Sequence, residues 1–197
     1  MSFFNYSGKR VMRTPMSTKA FIFANNCNLI LAVALVFFIF MNCFAFTCVV
    51  SGSMKPTIDV GETVFATKLF DEPNRGDIVS FSPYTKENHY LNSDPGNRNN
   101  VYIKRVVGLP GETVEIKNST VYINDVPLKE DYLPTDLIMS DFDKIVVPEG
   151  YFFLMGDNRN ASDDSRVIGC IPAENIILKS LFHVDSLTSL RLKTQSY

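Results

Sequence analysis

Leu29 to Val50 reads LILAVALVFFIFMNCFAFTCVV, with no charged side chain and only Asn42 and Thr47 as clear polar positions. As an α-helix this run of 22 residues is about 33 Å long, enough to cross a hydrocarbon core about 30 Å thick. A domain of ordinary size rarely buries so long an uninterrupted apolar helix, so residues 29–50 are expected to form a transmembrane helix. A cleaved secretory leader is the other reading. Its apolar region is shorter, roughly 7–15 residues, and ends in a small-residue cleavage site. Here the run is longer and bulky Phe and Val dominate its exit end.

Charge is distributed around this run as topology requires. Residues 1–28 carry Lys9, Arg10, Arg13 and Lys19 and no acid, while the other 15 basic residues and all 21 acidic ones follow residue 50. Lys and Arg are retained on the cytoplasmic side. Three segments result: a cytoplasmic basic tail over 1–28, a transmembrane helix over 29–50, and a domain over 51–197 on the outer face of the cell membrane. The lipid bilayer is thus an expected partner. A formal net charge of −2 argues against nucleic-acid binding. The oligomeric state is not legible.

The outer part holds only Cys170 of the four cysteines, so no internal disulfide can staple it. There is no CxxC pair, and His89 and His183 are the only histidines, so no metal site is expected. Cys170 reads as a small buried hydrophobe. The domain must hold together through its core. Its pattern is a series of short strand-like runs: Glu62–Leu69, Asp77–Phe81, Val101–Val107, Thr113–Ile116, Thr120–Ile123, Lys144–Val147 and Tyr151–Met155. Turn residues such as Leu109-Pro110-Gly111 and Pro148-Glu149-Gly150 separate them, which predicts a mainly β, antiparallel domain. Tyr84–Asn100 reads as an exposed polar loop, and Pro172–Leu181 as a helix opened by Pro and Glu.

The common hydrolase motifs GxSxG and HExxH and the P-loop are absent. Asp157–Ile168 superficially has a calcium loop's composition, but Arg159 and Ala161 stand at two ligand positions. Ser51–Thr57 (SGSMKPT), taken alone, reads equally as a polar juxtamembrane linker. Lys104, inside the apolar run Tyr102–Val107 (YIKRVV), reads by pattern as a solvated edge position. If alternation holds, Lys104 and Arg105 point to opposite faces of their strand.

Four stretches in order change that balance: Ser51–Thr57 (SGSMKPT), Arg75–Phe81 (RGDIVSF), Tyr102–Glu112 (YIKRVVGLPGE) and Gly156–Arg166 (GDNRNASDDSR). Together with the preceding apolar run they resemble the bacterial type I signal peptidase family, membrane serine proteases that use a Ser–Lys pair. The likeness spans about residues 29–180 and is closest to the compact, single-anchor Gram-positive form. It implies a signal-peptidase-type antiparallel β catalytic domain behind one N-terminal transmembrane helix. Ser53 would be the nucleophile and Lys104 its general base. Ser51 would supply an oxyanion-hole hydroxyl, and Ser162 would hydrogen-bond the Lys104 amine. Asp157 with Arg105, and Asp164 with Arg166, would be supporting ion pairs. The substrates would be signal peptides of exported preproteins, cut after small residues at −1 and −3, with no cofactor.

The physics agrees with those roles. A serine hydroxyl is a weak nucleophile and needs a base beside it, and an ordinary lysine, pKa about 10.4, is protonated at neutral pH. Burial disfavours the ammonium and would make Lys104 usable. Arg105, next in sequence, is expected to push in the same direction unless Asp157 neutralises it. The sequence departs from the family at Asn160 and Ala161, where Asp and Asn are usual. A dedicated maturation peptidase with few substrates and an inactive membrane-tethered binding domain are the other readings.

Overall fold

The structure, a computed structural model, describes residues 17–83, 101–184 and 192–194. The expected loop over 84–100, most of the basic tail and His89 lie outside the described residues. The chain divides into two units, residues 1–41 and 42–197.

The first unit is dominated by helix α1, Thr18–Cys43. No Pro or Gly interrupts it, and Asn25–Cys43 is long and apolar enough to cross a membrane. Its large side chains are exposed on all sides, among them Ile30, Val33, Phe37 and Ile39. The expected helix over 29–50 is corrected at both ends: it starts at Thr18 and stops at Cys43. The last apolar residues form strand β1, Phe44–Cys48, instead. The cause is a partner strand. β1 pairs antiparallel with β2, Thr63–Thr67, in the register Phe46↔Phe65. Alternation puts Phe44 and Phe46 on one face, where both rings meet Phe65 at 5.3 and 4.9 Å between centroids.

The second unit is built on two antiparallel sheets. The strands that follow are β3 Ile78–Phe81, β4 Tyr102–Gly108, β5 Thr113–Lys117, β6 Thr120–Ile123, β7 Val126–Pro127, β8 Phe142–Val146, β9 Tyr151–Met155, β10 Ile171–Pro172, β11 Ile176–Val184 and β12 Leu192–Thr194. A four-residue helix α2, Ser165–Ile168, lies between β9 and β10. The larger sheet runs β1-β2-β11-β3-β4-β9-β10, with β12 on β11, and the smaller runs β7-β6-β5-β8. All seven strand-like runs in the sequence correspond to strands. The mainly β reading therefore holds.

Pro172–Leu181 is corrected from helix to strand. After a single 3-10 turn at Ala173–Asn175, β11 runs between β2 and β3. Ile176, Leu178 and Ser180 are buried while Ile177 and Leu181 are exposed, a period of two that two flanking strands enforce. A bulge between Ser180 and Phe182 then shifts the phase and turns His183 inward.

Two features of this scaffold place the site. β4 has neighbours on both edges, β3 and β9, so its central side chains are closed in. The segment after β1 folds over a core of Val49, Met54, Ile58, Val64, Ala66, Ile78 and Leu178, with Met54 fully buried.

Candidate active site

Ser53 lies in one 3-10 turn, Gly52–Met54, just after β1. Met54 anchors the turn from below. Asn158 holds it from the side: its backbone N–H donates to the Ser53 carbonyl at 3.0 Å and its amide Nδ2 donates to the Gly52 carbonyl at 3.0 Å. Ser53 is thereby buried and fixed. Lys104 reaches it from β4, and Nζ donates to Ser53 Oγ at 2.8 Å across fifty-one residues of chain. Ser51 Oγ lies 3.3 Å from the same Oγ. Together with Tyr102, Ala161 and Asp163 these residues line an open cleft of about 250 Å³.

Lys104 is only 2% exposed. Burial disfavours its ammonium and lowers its pKa to about 8, against the upward pull of the Asp164, Asp163 and Asp157 charges. The cation that works with burial is Arg166. Arg105 is paired with Asp157, the condition under which its effect on Lys104 is expected to cancel. Its Nε donates to Asp157 Oδ1 at 2.9 Å, Nη2 to Oδ2 at 2.6 Å, and Nη1 to the Gly76 carbonyl at 2.8 Å. Burial opposes the Arg105 charge, and the Asp157 bonds more than offset that, so its pKa is raised.

The two expected ion pairs are present. Asp157, also bonded by Thr57 Oγ1 at 2.5 Å, pairs with Arg105. Asp164 accepts from Arg166 Nε and Nη2 at 2.8 Å each, and its Oδ2 accepts the Gly156 N–H at 3.0 Å. Asp164 is also the N-cap of α2. Ser162 is a correction. Its Oγ is buried without a hydrogen-bond partner among the described residues, so it does not bond the Lys104 amine here. The hydroxyl faces Gly156 instead, packed where a side chain at 156 would stand.

Several residues of the site carry no role in the sequence reading. Asn158 is one. Gly156 is another: a Cβ there would sit 2.5 Å from the Ser53 carbonyl oxygen and closer still to Ser162 Oγ. The end of β9 can approach the serine turn only without a side chain. Gly156→Ala should therefore destabilise the protein by about 3 kcal/mol, as overpacking against backbone does, with a lowered thermal midpoint and a serine turn displaced from Lys104. A variant with an unchanged midpoint would show that the two segments separate freely.

Arg159 is the third. It is fully buried, bonds the Gly156 carbonyl at 3.1 Å, and pairs with Glu130, which also accepts from Tyr132 Oη. The Arg105 guanidinium stacks 3.9 Å above the Tyr132 ring. Glu130 and Tyr132 lie in an irregular segment where spacing gives no signal. The family departures fall at the rim. Asn160 Nδ2 donates to the Ile138 carbonyl at 2.9 Å, and Ala161 lines the cleft.

A hydroxyl held against a buried, weakly basic amine, on a mainly β scaffold, has the parts of a serine hydrolase that uses lysine in place of histidine. Comparison with known proteins identifies the family. Residues 23–184 match the family model "Signal peptidase, peptidase S26". A probable signal peptidase I of Synechocystis sp. is 39% identical over 135 residues, 67% of this chain and 66% of that protein. A signal peptidase I of Bacillus amyloliquefaciens is 38% identical over 167 residues, 78% of this chain and 80% of that protein. A crystal structure of a signal peptidase I from Enterococcus faecalis V583 aligns at 34% identity with a TM-score of 0.43, over 54% of this chain and 95% of that one. The chain belongs to the signal peptidase, peptidase S26, family. It spans just under two thirds of the length of the Synechocystis relative.

Proposed function

We propose that this chain is a membrane-anchored serine endopeptidase that removes signal peptides from exported preproteins. The observation that carries the reading is the 2.8 Å contact between Ser53 Oγ and a buried Lys104 whose pKa is lowered to about 8. The Bacillus amyloliquefaciens relative, 38% identical, is named signal peptidase I, and the Synechocystis relative, 39% identical, a probable signal peptidase I-1.

The reaction runs as follows. Neutral Lys104 takes the Ser53 proton as Oγ attacks the scissile carbonyl carbon. The Ser51 hydroxyl and the Ser53 backbone N–H stabilise the oxyanion. The Lys104 ammonium then gives its proton to the departing amine, the C–N bond breaks, and the signal peptide remains as an ester on Ser53. Water attacks the ester, Lys104 accepts its proton, and return of that proton to Oγ regenerates the enzyme. Asp157–Arg105 and Asp164–Arg166 hold the loop that flanks both groups. Small residues at −1 and −3 are the expected preference, as in the family.

A helix apolar on every face needs apolar surroundings. α1 is therefore assigned to the cell membrane as a single span, with the basic tail cytoplasmic and residues after it outside. Ser53 follows the helix by one short strand and a turn, which keeps the nucleophile tethered to the membrane that holds the substrate's own leader.

The test is cleavage of a preprotein with an Ala-x-Ala site by the full chain in detergent, beside Ser53→Ala. Cleavage after the second Ala, absent with Ser53→Ala, supports the reading. A folded wild type that leaves the preprotein intact contradicts it. The pH profile adds a second check. Because Lys104 must lose its proton to act, kcat/KM should rise through an apparent pKa near 8, with roughly a tenth of the limiting rate at pH 7. A profile flat from pH 6 to about 9 would remove Lys104 as the base.

A further inference from the structure

Three carboxylates act through space on Lys104: Asp164, Asp163 and Asp157. Two are committed elsewhere. Asp164 is bonded to Arg166 and the Gly156 N–H, and Asp157 to Arg105 and Thr57, and both side chains are fully buried. Asp163 differs on every count. It is exposed, it has no ion pair or hydrogen bond among the described residues, and it lines the cleft beside Ser53. Among the described residues, Lys104 is the other charged residue lining that cleft, and its head is turned to Ser53. An unpaired carboxylate therefore faces whatever chain the cleft receives.

We propose that Asp163 is a specificity-determining residue that makes the cleft favour a basic, and disfavour an acidic, side chain at the substrate position lying beside it. The inference rests on the peptidase reading above. A bound substrate excludes water from the cleft, which strengthens the interaction between Asp163 and a charge brought next to it. A substrate carboxylate there meets repulsion and also favours the ammonium form of Lys104, the form that cannot act as base. A substrate ammonium does the reverse on both counts. The residue falls between Ser162 and Asp164, inside a stretch read for its other letters, so its pattern gave no sign of this role.

The experiment uses the full chain in detergent and a set of peptides sharing one Ala-x-Ala site. Each carries Lys, Gln or Glu at one successive position on either side of the scissile bond. kcat/KM is measured for wild type, Asp163→Asn and Asp163→Lys. At one position wild type should prefer Lys over Glu by about five- to tenfold, as expected for an exposed charge pair. The ratio should fall to near one with Asp163→Asn, invert with Asp163→Lys, and shrink with added salt. A ratio that all three proteins share at every position would overturn the proposal while cleavage of the Gln peptides leaves the peptidase reading standing. Failure of wild type to cleave any Gln peptide would overturn both.

Discussion

Lys104→Met should abolish cleavage and at the same time make the protein more stable. General-base removal lowers the rate by about 10³-fold or more. The stability gain follows from linkage. The folded-state pKa of Lys104 is about 8, below the ordinary lysine value of 10.5, so the unfolded chain holds more protons between those two values. Stability therefore rises as pH rises from about 8 to about 10.5, and below about 8 the folded state carries the full cost, up to about 3 kcal/mol. Methionine has a similar length and no charge to desolvate. Its thermal midpoint should exceed that of wild type at pH 7, and the two should converge near pH 10. A Lys104→Met protein that is less stable at pH 7 would mean that the ammonium is well solvated or well paired in the fold.

Asp157→Ala should be the most damaging change outside the reacting pair. Arg105 would keep its charge in a site where it is 6% exposed, with the Gly76 carbonyl and the Tyr132 ring as its remaining partners. Breaking a buried pair from one side costs about 3–5 kcal/mol. Thr57 would also lose its acceptor. Asp157→Asn keeps one acceptor oxygen, which at the Oδ2 position can serve both Arg105 Nη2 and Thr57 Oγ1, and should lose less. Unfolding of the three proteins in denaturant measures the order, which should be wild type above Asn above Ala. Equal midpoints for Ala and wild type would show that the pair contributes nothing net. The same loop carries Asn158, so activity should fall with stability.

Much of this was legible because the informative signals are local. Runs such as TVYI and YFFLM alternate or concentrate β-formers between turn residues, and they are strands β6 and β9. Ser53, Lys104 and the two Asp–Arg pairs come from short ordered motifs, and the structure brings those pairs together as the resemblance implies. What was missed depends on partners distant in sequence. FAFTC continues an apolar run long enough to read as one helix, and its pairing with β2 makes it a strand. β11 looks helical until β2 and β3 impose a period of two. His183 carried no motif, yet the bulge in β11 buries it against Glu62, with Nδ1 and Oε2 2.7 Å apart. Ser162 matched its motif letter but faces Gly156, because a side-chain rotamer is set by packing that a motif does not record.

The proposed reaction requires Lys104 to be neutral beside Ser53 near physiological pH. Titration of the Lys104 side chain by NMR, followed at its ε-carbon in the full chain and assigned with Lys104→Met, reads that directly. A midpoint about 8, well below the ordinary lysine value of 10.5, is the predicted result. A midpoint near 10.5 would contradict the account, since the amine would then hold its proton whenever a substrate arrived.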